Sequence, residues 1–206
     1  MATVRLITTC AGRDGSPILI GEGACGTGAY RAIVLGAHAI VAKCYTMAIG
    51  YGAQANCASG AMALGRCAKA SGEHSIAIGS HAFVKAPPEY GMTGGMAIGR
   101  QARAEQDGIA IGPCAKTQGS GGVAIGMMTC ADSDEIVIQS GFANGGSTFH
   151  NEGRNLIRIH SNGSVTMRLN NCCRTISAAG FFRNVFGSDG GGCSCGCSCG
   201  CSCGGC

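Results

Sequence analysis

The chain has 206 residues, including 37 Gly, 16 Cys and no Trp, and only 13% of them are charged. This low charged fraction excludes a chain that is disordered throughout. Aromatic residues make up only 5%, which favours a thin core of Ile, Val, Met and Ala over a thick globular one. The net charge of +4 is small and scattered without any run of five Lys or Arg, so we expect no nucleic-acid partner.

Neither a membrane span nor a secretory signal is predicted. No run of 18 apolar residues occurs, so we expect no membrane insertion. Residues 1–10 lack an apolar segment long enough for a Sec signal peptide. We therefore expect a virion-surface or extracellular protein that leaves its cell by another route or is assembled inside it.

A repeat region, residues 18–139, follows an expected N-terminal cap, residues 1–17. Short apolar strands recur at steps of 13–15 residues, with one step of 20, and the ninth copy decays to end in Gln139. A short fixed period indicates a solenoid whose coils contact only their neighbours. The other eight copies end in a Gly that we assign to the coil turn, where a Cβ would crowd the backbone: Gly21, Gly36, Gly50, Gly65, Gly79, Gly99, Gly112 and Gly126.

Each coil is predicted to hold two strands. The third and fifth residues after the turn Gly are mostly small, and the residue between them is mixed, which is the alternation of a half-buried strand. We expect large inward residues on the first strand to face small inward residues on the second. The predicted fold is therefore all-β, a parallel β-roll of about nine coils.

The middle residue of each first strand is apolar in all nine copies, and we predict that it faces outward. A strand that is apolar on both faces is buried on both, so a second copy of the chain would cover this stripe. Three copies around an axis are the simplest arrangement, and a dimer would also hide one stripe. The expected trimer interface consists of Ala48, Ala63, Ala77, Ala97, Ala110 and Ala124.

The repeats resemble a known family. The clearest copies read Ser-Ile-Ala-Ile-Gly at residues 75–79 and Asp-Gly-Ile-Ala-Ile-Gly at residues 107–112. Together with the x-x-Ala-x-Ala that follows, they resemble the head repeats of trimeric autotransporter adhesins over residues 18–139. The resemblance implies a trimeric left-handed parallel β-roll used in surface display or attachment. We expect no signal peptide, stalk or membrane anchor here, which would suit a virion fibre or an appendage subunit.

The long step of 20 residues contains Pro87 and Pro88. Because proline cannot donate to a strand ladder, we expect this segment to form a surface loop. The loop is one candidate site for a receptor.

Residues 140–189 are predicted to form a β cap and trimer clamp over the open end of the roll. Residues 156–169 read as a hairpin in which Asn162 and Gly163 supply the positive φ angles of a tight turn. We expect the apolar residues of the two arms to face the same side of this hairpin: Ile157 and Ile159 on the first arm, and Val165, Met167 and Leu169 on the second.

The tail, residues 190–206, is rich in Gly and Cys, and three interpretations remain open. The cysteines could form disulfides within or between trimers, bind Zn or Cu(I) through C-x-C spacing, or belong to a low-complexity end without a role. The tail candidates for disulfides, and weakly for metal, are Cys193, Cys195, Cys197, Cys199, Cys201, Cys203 and Cys206. The other disulfide candidates are Cys172, Cys173, Cys44 and Cys57.

Other motifs carry little weight. A G-x-G-x-x-G match at residues 21–26 precedes another coil strand instead of the helix that a dinucleotide site needs. His38 and His81 share a coil position but lie three coils apart, too far to share a metal within one chain. We expect no cofactor and no enzymatic activity. The predicted function is a structural subunit of a trimeric, disulfide-stabilised fibre or filament, and the alternative is an adhesin that binds a host or surface receptor.

Overall fold

The computed structural model describes residues 17–55, 59–85, 94–139, 156–169 and 172–177, together with Gly180. The first strands of the coils are β1 Ile18–Ile20, β3 Ile33–Leu35, β5 Met47–Ile49, β7 Met62–Leu64, β9 Ile76–Ile78, β11 Met96–Ile98, β13 Ile109–Ile111, β15 Val123–Ile125 and β17 Ile136–Gln139. The second strands are β2 Cys25–Gly26, β4 Ile40–Val41, β6 Gln54–Ala55, β8 Lys69–Ala70, β10 Phe83–Lys85, β12 Arg103–Glu105, β14 Lys116–Thr117 and β16 Cys130–Ala131. Three further strands are β18 Leu156–Ile159, β19 Val165–Leu169 and β20 Cys172–Ile176.

The two sets of coil strands form two sheets of a parallel β-solenoid. Each strand pairs in parallel with the strand at the same position of the next coil, so that Ala77, for example, lies between Ala63 and Ala97. The first sheet runs from β1 to β17 and the second from β2 to β16. The predicted all-β roll is confirmed, and the described residues include both strands of eight coils and the first strand of a ninth.

The eight turn glycines stack on one another. Their φ angles lie between 124° and 139°, and a Cβ added at any of them would lie 2.6 Å or less from the carbonyl oxygen of the next residue in the column. That residue is another turn Gly in seven cases and Gln139 in the last. Side chains are excluded here both by the backbone conformation and by the closeness of the next coil.

A second constrained position lies two residues after each turn Gly. It has a positive φ in every coil, with Gly in only two coils and His38, Cys67, His81, Gln101, Cys114 and Met128 in the others. Its N–H donates to the preceding coil, as in the 2.8 Å bond from Cys67 N to the carbonyl oxygen of Tyr51. The stacked hydrogen bonds hold these residues in a conformation that non-glycine residues rarely adopt.

The core between the two sheets consists almost entirely of small residues. The middle residue of each first strand points into it, as do the third and fifth residues after each turn Gly. In the coil of Ala77, the opposing side chains are Ala82 and Val84, and all three are fully buried. The largest apolar side chain with no exposed surface in the described part of the chain is Val.

This arrangement corrects the prediction for the first strand. The large residues were expected inside and the alanines outside, and the structure has the reverse. A coil of 13–15 residues leaves room for Ala opposite Ala or Val, but no room for two rows of Ile or Met. The large residues that flank each central Ala therefore lie on the outer face.

Beyond the last coil, an antiparallel meander extends the first sheet. β18 pairs with β17, β19 with β18, and β20 with β19. The predicted hairpin is confirmed, with Ile157 opposite Met167 and Ile159 opposite Val165. Its role as a cap and trimer clamp stays a prediction, because most of residues 140–189 lie outside the described part.

The hairpin turn differs from the tight two-residue turn that we predicted. Its connection spans residues 160–164, and only Gly163 of the Asn-Gly pair has a positive φ, of 76°. The side chain of Asn162 instead accepts a hydrogen bond from Ser164 N at 2.9 Å. A longer connection of this kind needs a left-handed conformation at one glycine only.

Candidate assembly face

The outer face of the first sheet is apolar along its entire length, and we call it the assembly face. Each first strand presents two large aliphatic side chains outward, half-buried in the middle of the stack and more exposed at its ends. The pairs are Ile18 and Ile20, Ile33 and Leu35, Met47 and Ile49, Met62 and Leu64, Ile76 and Ile78, Met96 and Ile98, Ile109 and Ile111, Val123 and Ile125, and Ile136 and Ile138.

The meander continues this face. Ile159 lies opposite Ile136, and Ile157 lies opposite Ile138, so the same side of the sheet carries both pairs. The exposed fractions of these side chains lie between 39% and 46%, high values for isoleucine. The apolar surface therefore continues from the roll onto the meander, because the apolar pairs of β17 and β18 are direct neighbours.

The predicted interface alanines do not lie on this face. Ala48, Ala63, Ala77, Ala97, Ala110 and Ala124 have no exposed surface even in the isolated chain, so another chain cannot contact their side chains. The prediction that these alanines face outward was therefore wrong. The number of large residues was an available signal, because two Ile or Met per strand exceed what so short a coil can enclose.

A polar network that the sequence analysis missed joins the roll to the meander. Glu135 precedes β17 at a position that the other coils fill with Ala, Thr, Ser, Gly or, before β1, Pro17, and it is 92% buried. Its Oε1 lies 2.9 Å from Nδ1 of His160, and Nε2 of the same ring lies 2.8 Å from Thr166 Oγ1. Thr166 Oγ1 is in turn 2.8 Å from Thr175 Oγ1.

Arg158 adds a charge to this network. Its Nε lies 4.0 Å from Glu135 Oε2, and its Nη2 donates to the carbonyl oxygen of Cys130 at 3.3 Å. Glu135 Oε2 also accepts the Asp132 N–H at 3.3 Å. A carboxylate in a column of small residues was the sequence signal for this junction, because a buried charge requires polar partners.

The glycines of the G-x-G-x-x-G match have structural roles in the roll. Gly21 is a turn Gly, and Gly23 occupies the left-handed position two residues later. Gly26 faces the core, where an added Cβ would lie 2.9 Å from Leu19 Cδ2. In this first coil, therefore, a large residue does face the smallest one.

The two histidines at equivalent coil positions are exposed and have different neighbours. The ring of His38 packs edge-on against Tyr51, with 5.6 Å between the centroids. Nδ1 of His81 is 2.9 Å from Ser80 Oγ. No group of three or more metal-binding side chains occurs in the described segments.

The cysteines divide into those that the structure describes and those that it does not. Cys25, Cys44, Cys67, Cys114 and Cys130 are not in disulfides. Cys57 and the seven tail cysteines lie outside the described residues, as do Pro87 and Pro88. Cys172 and Cys173 lie on β20, in register with Leu169 and Arg168 respectively. The predicted cross-links are therefore untested.

Comparison with known proteins identifies the repeats. The family model described as YadA head domain repeat (2 copies) matches residues 45–66, 58–82 and 106–127. These segments contain five of the eight turn glycines, Gly50, Gly65, Gly79, Gly112 and Gly126. No curated protein matches the chain. Among the described residues, no helix is long and apolar enough to cross a membrane. The matched coils of this β-solenoid are thus similar to YadA head domain repeats, in agreement with the resemblance to the head repeats of trimeric autotransporter adhesins.

Proposed function

We propose that this chain is a structural rod of an adhesin-type head or fibre, and that three copies assemble through the assembly face. The observation that carries the proposal is the uninterrupted apolar outer surface of the first sheet, which contrasts with an Ala core. Burying apolar surface contributes about 25 cal/mol per Å². Alanine provides little such surface, whereas two Ile, Leu or Met per coil provide much more.

The matched repeats support the number of copies and the location. Head repeats of this family belong to trimeric, surface-exposed adhesins, so we propose a homotrimer on a cell surface, an extracellular appendage or a virion. In a trimer with the first sheets at the centre, the second sheets face solvent. The rod then acts as a spacer that carries its binding surfaces on the outside.

Two matched substitutions test the assembly. Ile78→Glu places a charge on the assembly face, whereas Ile40→Glu makes the same change at a half-buried outward position of the second sheet. We expect the wild type and Ile40→Glu to have the trimer mass by light scattering and Ile78→Glu to dissociate. Circular dichroism shows whether each chain retains its β structure. A monomeric wild type, or dissociation by Ile40→Glu alone, would overturn the proposal.

We also propose that the tail cysteines cross-link chains covalently. Seven cysteines at mostly alternate positions in residues 190–206 support this, since alternate residues of an extended chain point the same way. Denaturing gels of native material with and without reductant provide the test. Oligomer bands that collapse on reduction are expected. A monomer band in both lanes, with metal found in the protein, would favour the metal-binding interpretation instead.

A further inference from the structure

Four consecutive second strands carry a row of three cationic side chains and one aromatic side chain on the face opposite the assembly face. The row consists of Lys69 on β8, Phe83 on β10, Arg103 on β12 and Lys116 on β14, and we call it the cationic row. Parallel pairing places Phe83 opposite both Lys69 and Arg103, and Arg103 opposite Lys116. These residues are 47 positions apart at most in sequence, and the coil period aligns them.

The cations of the row are close to one another, and no described carboxylate forms an ion pair with them. Arg103 and Lys116 are direct neighbours in register, and like charges in register destabilise a sheet. Within the described segments, none of the three cations of the row forms an ion pair. The carboxylate of Glu105 on the same face pairs with Lys85, with 3.9 Å between Oε1 and Nζ. An anionic ligand would relieve this repulsion.

Phe83 lies between two of these cations. Lys69 Nζ is 5.8 Å and Arg103 Cζ is 5.9 Å from the centroid of its ring, and the two cations come from opposite neighbouring coils. Cation–π attraction at such distances favours this arrangement. The ring thus keeps the two charges two coils apart, which corresponds to about 9.6 Å at the usual strand spacing.

A second pair of cations follows the same spacing in the adjacent turn. Arg66 and Arg100 each follow a turn Gly directly, both are exposed, and they lie two coils apart with Ser80 between them. The backbone confirms the stacking, because His81 N donates to the Arg66 carbonyl oxygen at 2.8 Å and Gln101 N donates to that of Ser80 at 2.9 Å. Neither arginine forms an ion pair with another described residue.

We propose that the cationic row, together with Arg66 and Arg100, binds a linear sulfated polysaccharide that lies along the rod. The inference rests on the proposed function, in which the second sheets face outward. Arginine pairs well with tetrahedral oxyanions because its guanidinium donates two parallel hydrogen bonds. Five cations within a span of four coils match a polymer with more than one anionic group per sugar.

Single-stranded nucleic acid fits this surface less well. Proteins bind such strands by stacking bases on aromatic side chains as well as by contacting phosphates. The flanking cations compete for the faces of Phe83, and no other aromatic side chain belongs to the row. A sugar polymer needs only the cations.

Binding of fluorescent heparin to the full chain tests the proposal. The triple variant Lys69→Gln, Arg103→Gln and Lys116→Gln removes the charges of the row. The control triple variant Arg31→Gln, Lys43→Gln and Arg174→Gln removes the same net charge at exposed positions elsewhere. We expect the row variant to weaken binding by about tenfold or more and the control by less than about threefold, since nearby charges dominate at physiological salt.

The outcomes separate this proposal from the assembly. Light scattering on every variant reports the oligomer, so a trimer that fails to bind heparin overturns the binding site alone. Equal losses in both triple variants would also overturn it. Binding of polygalacturonate as tight as that of heparin would contradict the sulfated ligand, and tighter binding of oligo(dT) would indicate a nucleic-acid site.

Discussion

Oε1 of Glu135, at the end of the solenoid, lies 2.9 Å from Nδ1 of His160, in the hairpin that follows. The two residues are 25 positions apart, and their contact joins the last coil to the meander. Glu135 is nearly fully buried, so its carboxylate depends on this partner and on the Asp132 N–H. The junction is therefore polar, in contrast with the Ala core beside it.

Replacing this carboxylate should weaken the meander more than the roll. Glu135→Ala leaves the polar groups of His160 and Arg158 without their partner, at a cost of about 1–3 kcal/mol. We expect faster amide hydrogen exchange in β18 and β19 with little change in β9 to β13. Asp132→Ala, which removes an exposed carboxylate nearby, is the control, and an equal effect of both variants would contradict the assignment.

A methyl group in the glycine column should be among the most damaging small changes. In Gly79→Ala, the new Cβ would lie 2.5 Å from the Gly99 carbonyl oxygen, at a φ of 126°. Strain and overpacking each cost about 1–3 kcal/mol. Gly94→Ala is the matched control, because nothing lies within 4 Å of its added Cβ. Melting temperatures should fall strongly for the first variant and barely for the second.

Enlarging a core alanine should be costly, whereas changing its outward neighbour should not. Ala77→Leu inserts three carbons between fully buried Ala82 and Val84, and overpacking of this kind costs about 1–3 kcal/mol or more. Ile78→Leu keeps the volume on the outer face and serves as the control. Denaturation of both variants at equal protein concentration provides the measurement. Tolerance of leucine at position 77 would contradict the narrow core.

Glycine should have opposite effects at two glutamines. Gln101 has a φ of 58°, so Gln101→Gly should relieve strain and raise stability by up to about 1 kcal/mol. Gln54 lies in strand β6, where glycine is less favourable by about 0.5–1 kcal/mol. The melting temperature should therefore rise in the first variant and fall in the second. A fall in both would show that the left-handed position is not strained.

The periodic features of the fold were predictable from the sequence. The inward face was predicted correctly for the second strands and wrongly for the first strands. The turn glycines and the inward alanines of the second strand follow from repetition alone. The first strand was ambiguous because Ile-Ala-Ile is apolar on both faces, and alternation cannot then say which face is inside. The narrow space between the two sheets places Ala77 inside and Ile78 outside. This width is a property of the folded coil and cannot be read from the alternation of residues.

The cationic row shows a different limit of sequence reasoning. Counted along the chain, Lys69, Arg103 and Lys116 are isolated charges, and the net charge gave no reason to connect them. Aligned on the turn glycines, they occupy the same position of three coils. The Glu135 junction was harder to foresee, because its partner His160 belongs to a segment outside the repeat.

The glycine column has a consequence for how such a rod can change in length. Each coil meets the next through the same carbonyl-to-glycine approach and the same strand registers, so any two coils present compatible ends. Deleting or duplicating one whole coil would preserve the stacking of the turn glycines. Inserting or deleting only a few residues would instead place a side chain against a carbonyl oxygen. Rod length is therefore adjustable in whole coils, each worth about 4.8 Å.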